Sequence, residues 1–189
     1  MSIKRIGVGL LAVIVVGLFS VPFTTSTVSG NAAEAAGPTA INLGEFFFGA
    51  PENMAPVGDA AKPEKVVATI TGAAEGEIVL VLKNVGKLEH EVQSALFLAT
   101  SETVVKSFDE KGNEISKVET VGALREVELQ PGMSAEVTLA LDEPLQRAFE
   151  DDPNLTMTFE ISCQVGHSKR DTAKDHYQLG MRGFIILKS

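Results

Sequence analysis

The sequence predicts an all-β domain with one short helix, preceded by an N-terminal signal or anchor helix. Three observations predict it. Short segments alternate apolar β-formers with polar residues, turn residues separate those segments, and a single amphipathic stretch carries helix caps. The 189 residues suit one ordinary domain of about 100–200 residues with an extension. Residues 1–36 read as a signal peptide or N-terminal membrane anchor with its tether, and residues 37–189 as the folded domain.

The N-terminal reading rests on Lys4 and Arg5, a positive n-region, followed by the uncharged apolar run 6–19. Ala33-Glu34-Ala35 offers a small-x-small cleavage site. The apolar run extended through residue 23 nears the ~18 residues at which a membrane span becomes feasible, so both a cleaved form and a form tethered through residues 6–23 stay open. Either places the domain outside the cytoplasm, in a periplasm or on the outer face of the cytoplasmic membrane. Residues 24–37, rich in Ser, Thr, Ala and Gly without apolar periodicity, read as the tether.

Within the domain, residues 41–48 read as a first strand and the Pro- and Gly-bearing stretch 51–63 as a loop. Residues 66–70 read as a strand, 72–76 as a turn, and 77–83 as a buried strand leading to Asn84. Residues 92–98 read as a further strand, and the polar segment 101–120 as an excursion carrying weak strands around a Lys111-Gly112-Asn113 turn. Residues 124–129 and 135–141 read as strands about a Pro131-Gly132 turn. Residues 142–153 read as the helix, with Asp142 as N-cap, Pro144 in the first turn, an apolar stripe of Leu145, Ala148 and Phe149, and Asp152-Pro153 ending it. Residues 156–162 and 183–187 read as the last two strands.

Between those last strands lie the chain's lone cysteine, Cys163, two of its three histidines, His167 and His176, and Met181. A thiolate, an imidazole and a thioether are soft-to-borderline donors that suit copper cycling between Cu(I) and Cu(II), whereas hard cations want carboxylates. Each residue alone has an ordinary explanation: a buried small hydrophobe, a hydrogen-bonded loop histidine, a core methionine. Their joint occurrence is what carries weight. A single cysteine excludes an intrachain disulfide, and a free thiol in an oxidising compartment is protected by burial, interchain pairing or coordination.

The third histidine, His90, ends the turn Asn84-Val85-Gly86-Lys87-Leu88-Glu89-His90. With it the chain resembles the cupredoxin family of plastocyanin/azurin-like type 1 blue copper proteins. That family pairs an Asn-x-Gly-x-x-x-His turn with a distal cysteine and a His-x-x-x-Gly-Met-x-Gly loop, matched here by Asn84 to His90 and by His176-Tyr177-Gln178-Leu179-Gly180-Met181-Arg182-Gly183. The resemblance covers roughly residues 40 to 189 and implies a Greek-key β-sandwich. It implies one copper ion per chain on His90, Cys163, His176 and Met181, with Asn84 tying the two ligand-bearing segments together. His167 is the alternative to His176, because Cys163-Gln164-Val165-Gly166-His167 resembles the start of the family's shorter loop. His176 is favoured by its spacing to Met181, and nitrite-reductase-type members resemble this chain in their lengthened Cys-to-His segment.

The formal charge of −9 and the lack of a Lys/Arg block argue against nucleic acid as a partner, since phosphate binding needs a basic face. The leading expectation is an exported single-electron carrier, not an enzyme, exchanging electrons with a cytochrome or copper oxidoreductase. The alternatives are a periplasmic copper chaperone or store, and an accessory domain of a copper redox enzyme. A cysteine hydrolase is disfavoured because Cys163 ends an apparent strand, whereas reactive thiolates favour helix N-termini.

Overall fold

The computed structural model describes residues 37–54, 65–166 and 175–189. The N-terminal segment, residues 55–64 and the stretch 167–174, which includes His167, lie outside them. The described residues belong to one compact unit, and their elements are eleven strands and one α-helix, with short 3₁₀ turns. In order these are β1 (Thr39–Gly44), β2 (Phe47–Phe48), β3 (Val66–Ile70), β4 (Glu77–Asn84), β5 (His90–Ser94), β6 (Thr100–Phe108), β7 (Glu114–Val121), β8 (Val127–Leu129), β9 (Ser134–Leu141), α1 (Glu143–Asp151), β10 (Thr156–Cys163) and β11 (Arg182–Lys188).

Alternation decides which faces meet. On β4 the side chains Ile78, Leu80 and Leu82 are buried, and on β9 Ala135, Val137, Leu139 and Leu141 are, every second residue in each. These strands pair antiparallel, with Leu80 opposite Val137 and Leu82 opposite Ala135, so their apolar residues form one face. A six-stranded sheet runs β2-β1-β4-β9-β6-β7, and a five-stranded sheet runs β3-β11-β10-β5-β8. Both sheets are mixed: β1 pairs parallel with β4, and β11 parallel with β3. Residues from both sheets, among them Leu80, Leu139, Ile161 and Ile185, join one buried core. Each such side chain contributes roughly 1.5–3 kcal/mol on burial.

The helix forms as its caps predict. Asp142 accepts a hydrogen bond from the Leu145 amide at 3.0 Å, satisfying one of the free N–H groups of the first turn, and Leu145 and Phe149 form its buried side. Elsewhere the chain departs from expectation in three places. The stretch 41–48 is two strands, broken at Glu45-Phe46, where Phe46 takes a positive φ of 66°. The stretch 92–98 leaves the sheet after Ser94, and Ala95–Leu98 forms a 3₁₀ turn in which the Ser94 hydroxyl accepts from the Leu96 amide at 3.2 Å. The segment 101–120 holds two long strands in place of weak ones, β6 and β7, joined by a turn that Asp109 organises through the amides of Lys111 and Asn113.

Register puts the breaks that matter at one end. Asn84 ends β4 opposite Leu43, His90 begins β5 opposite Leu129, Cys163 ends β10 opposite Val92, and Arg182 begins β11 opposite Ser162. Among the described residues no helix is long and apolar enough to cross a membrane.

Candidate metal centre

Cys163 reaches the site because it continues the alternation of Met157, Phe159 and Ile161 along β10, so that its thiol shares the face of Ile161 and is fully buried. Its sulfur lies 3.8 Å from His90 Nδ1 and 3.4 Å from His176 Nδ1. One donor atom from each of the three residues falls within 4.8 Å of the other two. The two imidazole rings are 5.2 Å apart between centroids and tilted by 58°. No carboxylate belongs to this group.

The strands fix two of the donors. β5 and β10 are neighbours in the sheet, and across them the Glu91 amide donates to the Cys163 sulfur at 3.4 Å. His90 is set by the turn before it. Asn84, buried at its start, donates through Nδ2 to the carbonyls of Leu88 at 2.8 Å and Leu129 at 2.9 Å, and accepts from the Gly86 amide at 2.9 Å. These bonds hold the His90 turn to itself and to β8. They do not run to the cysteine segment, which corrects the expectation that Asn84 ties the two ligand-bearing segments together; the Glu91 amide on the cysteine sulfur makes that link. Gly86 allows a close approach, since a Cβ there would stand 3.1 Å from both His90 Nε2 and Glu45 Oε1 and those side chains would have to give way.

A turn fixes the third donor. The His176 amide donates to Val165 O at 3.2 Å, the Met181 amide returns to His176 O at 2.9 Å, and the Cys163 amide donates to Met181 O at 3.1 Å. Asp175 braces the turn by accepting from the Gln178 amide at 2.6 Å, and Gly180 supplies a positive φ of 103° that a side chain would strain. Met181 is fully buried at the close of this turn. The turn is pinned from β11 by Arg182, also buried, whose Nη1 donates to Tyr177 O at 2.7 Å while its guanidinium stands 5.1 Å from the Tyr177 ring centre.

Two contributors were not legible in the sequence. Phe46, in its left-handed conformation, turns its ring edge-on to His176 at 5.3 Å and 79°. Glu45 accepts a hydrogen bond from the Lys87 amide, so the β1–β2 hairpin is clamped to the His90 turn. The signal that existed was the Phe46-Phe47-Phe48 run beside an acidic residue, which reads as plain strand.

Burial governs the electrostatics. It pushes the Cys163 thiol up to about 11 and, with His176 close by, pulls His90 down to about 4. Burial also lowers His176, opposed by Asp175 and Glu89. Both imidazoles are therefore neutral near pH 7 and carry a lone pair for a cation, while the buried thiol has no counter-charge that would favour its thiolate. His90 Nε2 is buried without a hydrogen-bond partner among the described residues. Two neutral imidazoles and one thiol, desolvated and converging, fit a borderline-to-soft transition ion.

No protein-family model matches the sequence, and no curated protein matches it. Solved structures do. A multicopper oxidase from Campylobacter jejuni, a metallo-oxidase, aligns over 80% of this chain and 30% of its own at 10% identity, with a TM-score of 0.51. A multicopper oxidase from Pseudomonas thermotolerans aligns over 90% of this chain and 34% of its own at 17% identity, TM-score 0.49. A copper-containing nitrite reductase from Thermus scotoductus aligns over 80% and 30% at 12% identity, TM-score 0.46. The chain thus spans about a third of the length of these proteins. The likeness to the Campylobacter structure is one of fold, and the two-sheet architecture is consistent with a cupredoxin-like β-sandwich.

Proposed function

We propose that this chain is an exported type 1 copper protein that carries single electrons between redox partners. The observation that supports this most is the convergence of the Cys163 sulfur with the Nδ1 atoms of His90 and His176 in a buried donor group that includes no carboxylate. His90, Cys163 and His176 would hold one copper ion, with Met181 as a further, weaker donor, and the topology would be that of a Greek key. Bound there, copper supplies a one-electron couple between Cu(I) and Cu(II).

The protein's own part is to keep the donors still. Imidazoles and thiol are preset by sheet pairing and by the Asn84 and Asp175 turns, so little reorganisation accompanies a change of charge. The Glu91 amide bond to sulfur stabilises negative charge on the thiolate, and hydrogen bonding around the cysteine sulfur tunes the potential of such sites. Phe46 packs edge-on against the His176 ring and helps to hold it in place. The positive n-region and apolar run at the N-terminus support an extracytoplasmic location, and a cytochrome or copper oxidoreductase is the partner class.

A second reading, a domain of a larger copper redox enzyme, is supported by the chain's match to about a third of a multicopper oxidase. Adding Cu(II) to the protein tests the carrier reading. An intense thiolate-to-copper charge-transfer band in the visible is the expected result, absent in Cys163→Ala and accompanied by a reversible one-electron couple. Only weak ligand-field absorption, or turnover of oxygen or nitrite by the isolated chain, would sink it.

A further inference from the structure

The six-stranded sheet ends on β7, and among the described residues nothing pairs with the outer edge of that strand. It is eight residues long, contains no proline, and is exposed on almost every side chain. Ile115 and Val118 are each 53% exposed and Val121 93%. A long exposed edge of this kind is a template for another strand unless it is blunted. The hairpin's bulge sits at the start of β7, where Ser107 pairs with Ser116 and Phe108 with Glu114 so that Ile115 is the extra residue, and Ser116 to Val121 run on from it as a regular edge.

From the register of β7 and the charges along it, we infer that this edge pairs antiparallel with the same edge of a second copy of the chain, about a two-fold axis at Val118. In that register Val118 meets Val118 of the second copy, Lys117 meets Glu119, Glu119 meets Lys117, and Ser116 meets Thr120, all within the regular part of the strand. Every like-charge encounter is avoided. Sliding the register by two residues in either direction sets Lys117 on Lys117 or Glu119 on Glu119, which is unfavourable for directly opposed strands.

The rows already present in the sheet point the same way. Val137 on β9, Val105 on β6 and Val118 on β7 are successive cross-strand neighbours, and a second Val118 extends that apolar row. Beside it run Glu136, Lys106 and Lys117. Lys106 is neutralised by Glu136 at 2.6 Å, while Lys117 has a like charge as its inner neighbour and borrows Glu119 from its own strand at 2.6 Å. A facing Glu119 from the second copy completes the row. The copper-site end plays no part in this contact, so the dimer and the metal centre stand or fall separately.

Charge reversal tests the inference. Full-length chain in a nonionic detergent is examined by sedimentation velocity at micromolar concentration. Wild type sediments as a dimer; K117E and E119K each weaken association about tenfold or more, because each sets like charges opposite one another twice. An equimolar mixture of the two variants regains the dimer, since the all-acidic strand of one faces the all-basic strand of the other. The within-strand bridge is absent from both variants, so recovery in the mixture reports contact between chains. A monomeric wild type, single variants that associate as wild type does, or a mixture that stays monomeric would each overturn it.

Discussion

His90 and Cys163 stand on adjacent strands, whereas His176 and Met181 stand on a turn, and different forces hold the two halves of the candidate centre. The strand half is fixed by a ladder continuous with the core: Cys163 opposite Val92, Ile161 opposite Ser94, and a cysteine sulfur tied across the pair to the Glu91 amide. The turn half is fixed by a few local bonds, an aspartate brace and two contacts from outside it, Phe46 and Arg182. A ladder resists change because many bonds must break together; a short turn can lose one brace and shift. The strand half would therefore set where a metal sits, and the turn half how closed the site is around it.

The largest effect that sharpens this contrast is loss of the turn imidazole. His176→Ala bleaches the charge-transfer band of the copper-loaded protein, and added imidazole restores it, because the strand donors still define the position. His167→Ala leaves the spectrum unchanged. A silent His176→Ala with a bleached His167→Ala would transfer the role to His167 and break the comparison.

The next effect lies in the His90 turn. Asn84→Ala strips partners from two carbonyls and one amide in a buried setting, and we expect a loss of about 2–4 kcal/mol in denaturant unfolding of the metal-free protein. Its copper-loaded spectrum shifts as well, since His90 loses its anchor. A loss below about 0.5 kcal/mol would show that the strand ladder alone positions His90.

Smaller effects belong to the hairpin tip. Phe46→Ala removes the ring edge from His176 and costs about 1–2 kcal/mol, with faster access of small anions to the copper. Phe46→Gly loses the same ring but suits the left-handed backbone, so it should be more stable than Phe46→Ala by about 1 kcal/mol. Equal stabilities would mean that the backbone relaxes there. Smallest in colour is Met181→Leu, which keeps the band and raises the potential by removing a donor that favours Cu(II); voltammetry reads it directly.

The same contrast explains what could be read from the sequence. Strand-borne features were legible because period-two alternation is local: β4, β9 and β10 announce their buried faces, and Asp142 announces the helix. The ligand candidates were legible because three rare residue types recur at motif spacing. Non-local pairing left no such trace. Parallel neighbours β1–β4 and β3–β11, the Glu45 clamp on Lys87 and the edge of Phe46 on His176 arise only when distant segments meet. Residues 95–98 misled because Ala-Leu-Phe-Leu suits a strand or a tight helical turn equally, and the Ser94 cap decided it. Segment 101–120 misled in the other direction: its polarity reflects the exposure of nearly every side chain of β7, not weak strand formation.

The central claim is that His90, Cys163 and His176 form a single metal-binding set. X-ray absorption at the copper edge, on copper-loaded wild type and on His176→Ala, tests it most directly. One short sulfur scatterer and two imidazole nitrogens in wild type, with one nitrogen lost in the variant and regained on adding imidazole, is the predicted result. A first shell of oxygens, or one unaltered by the substitution, would contradict it.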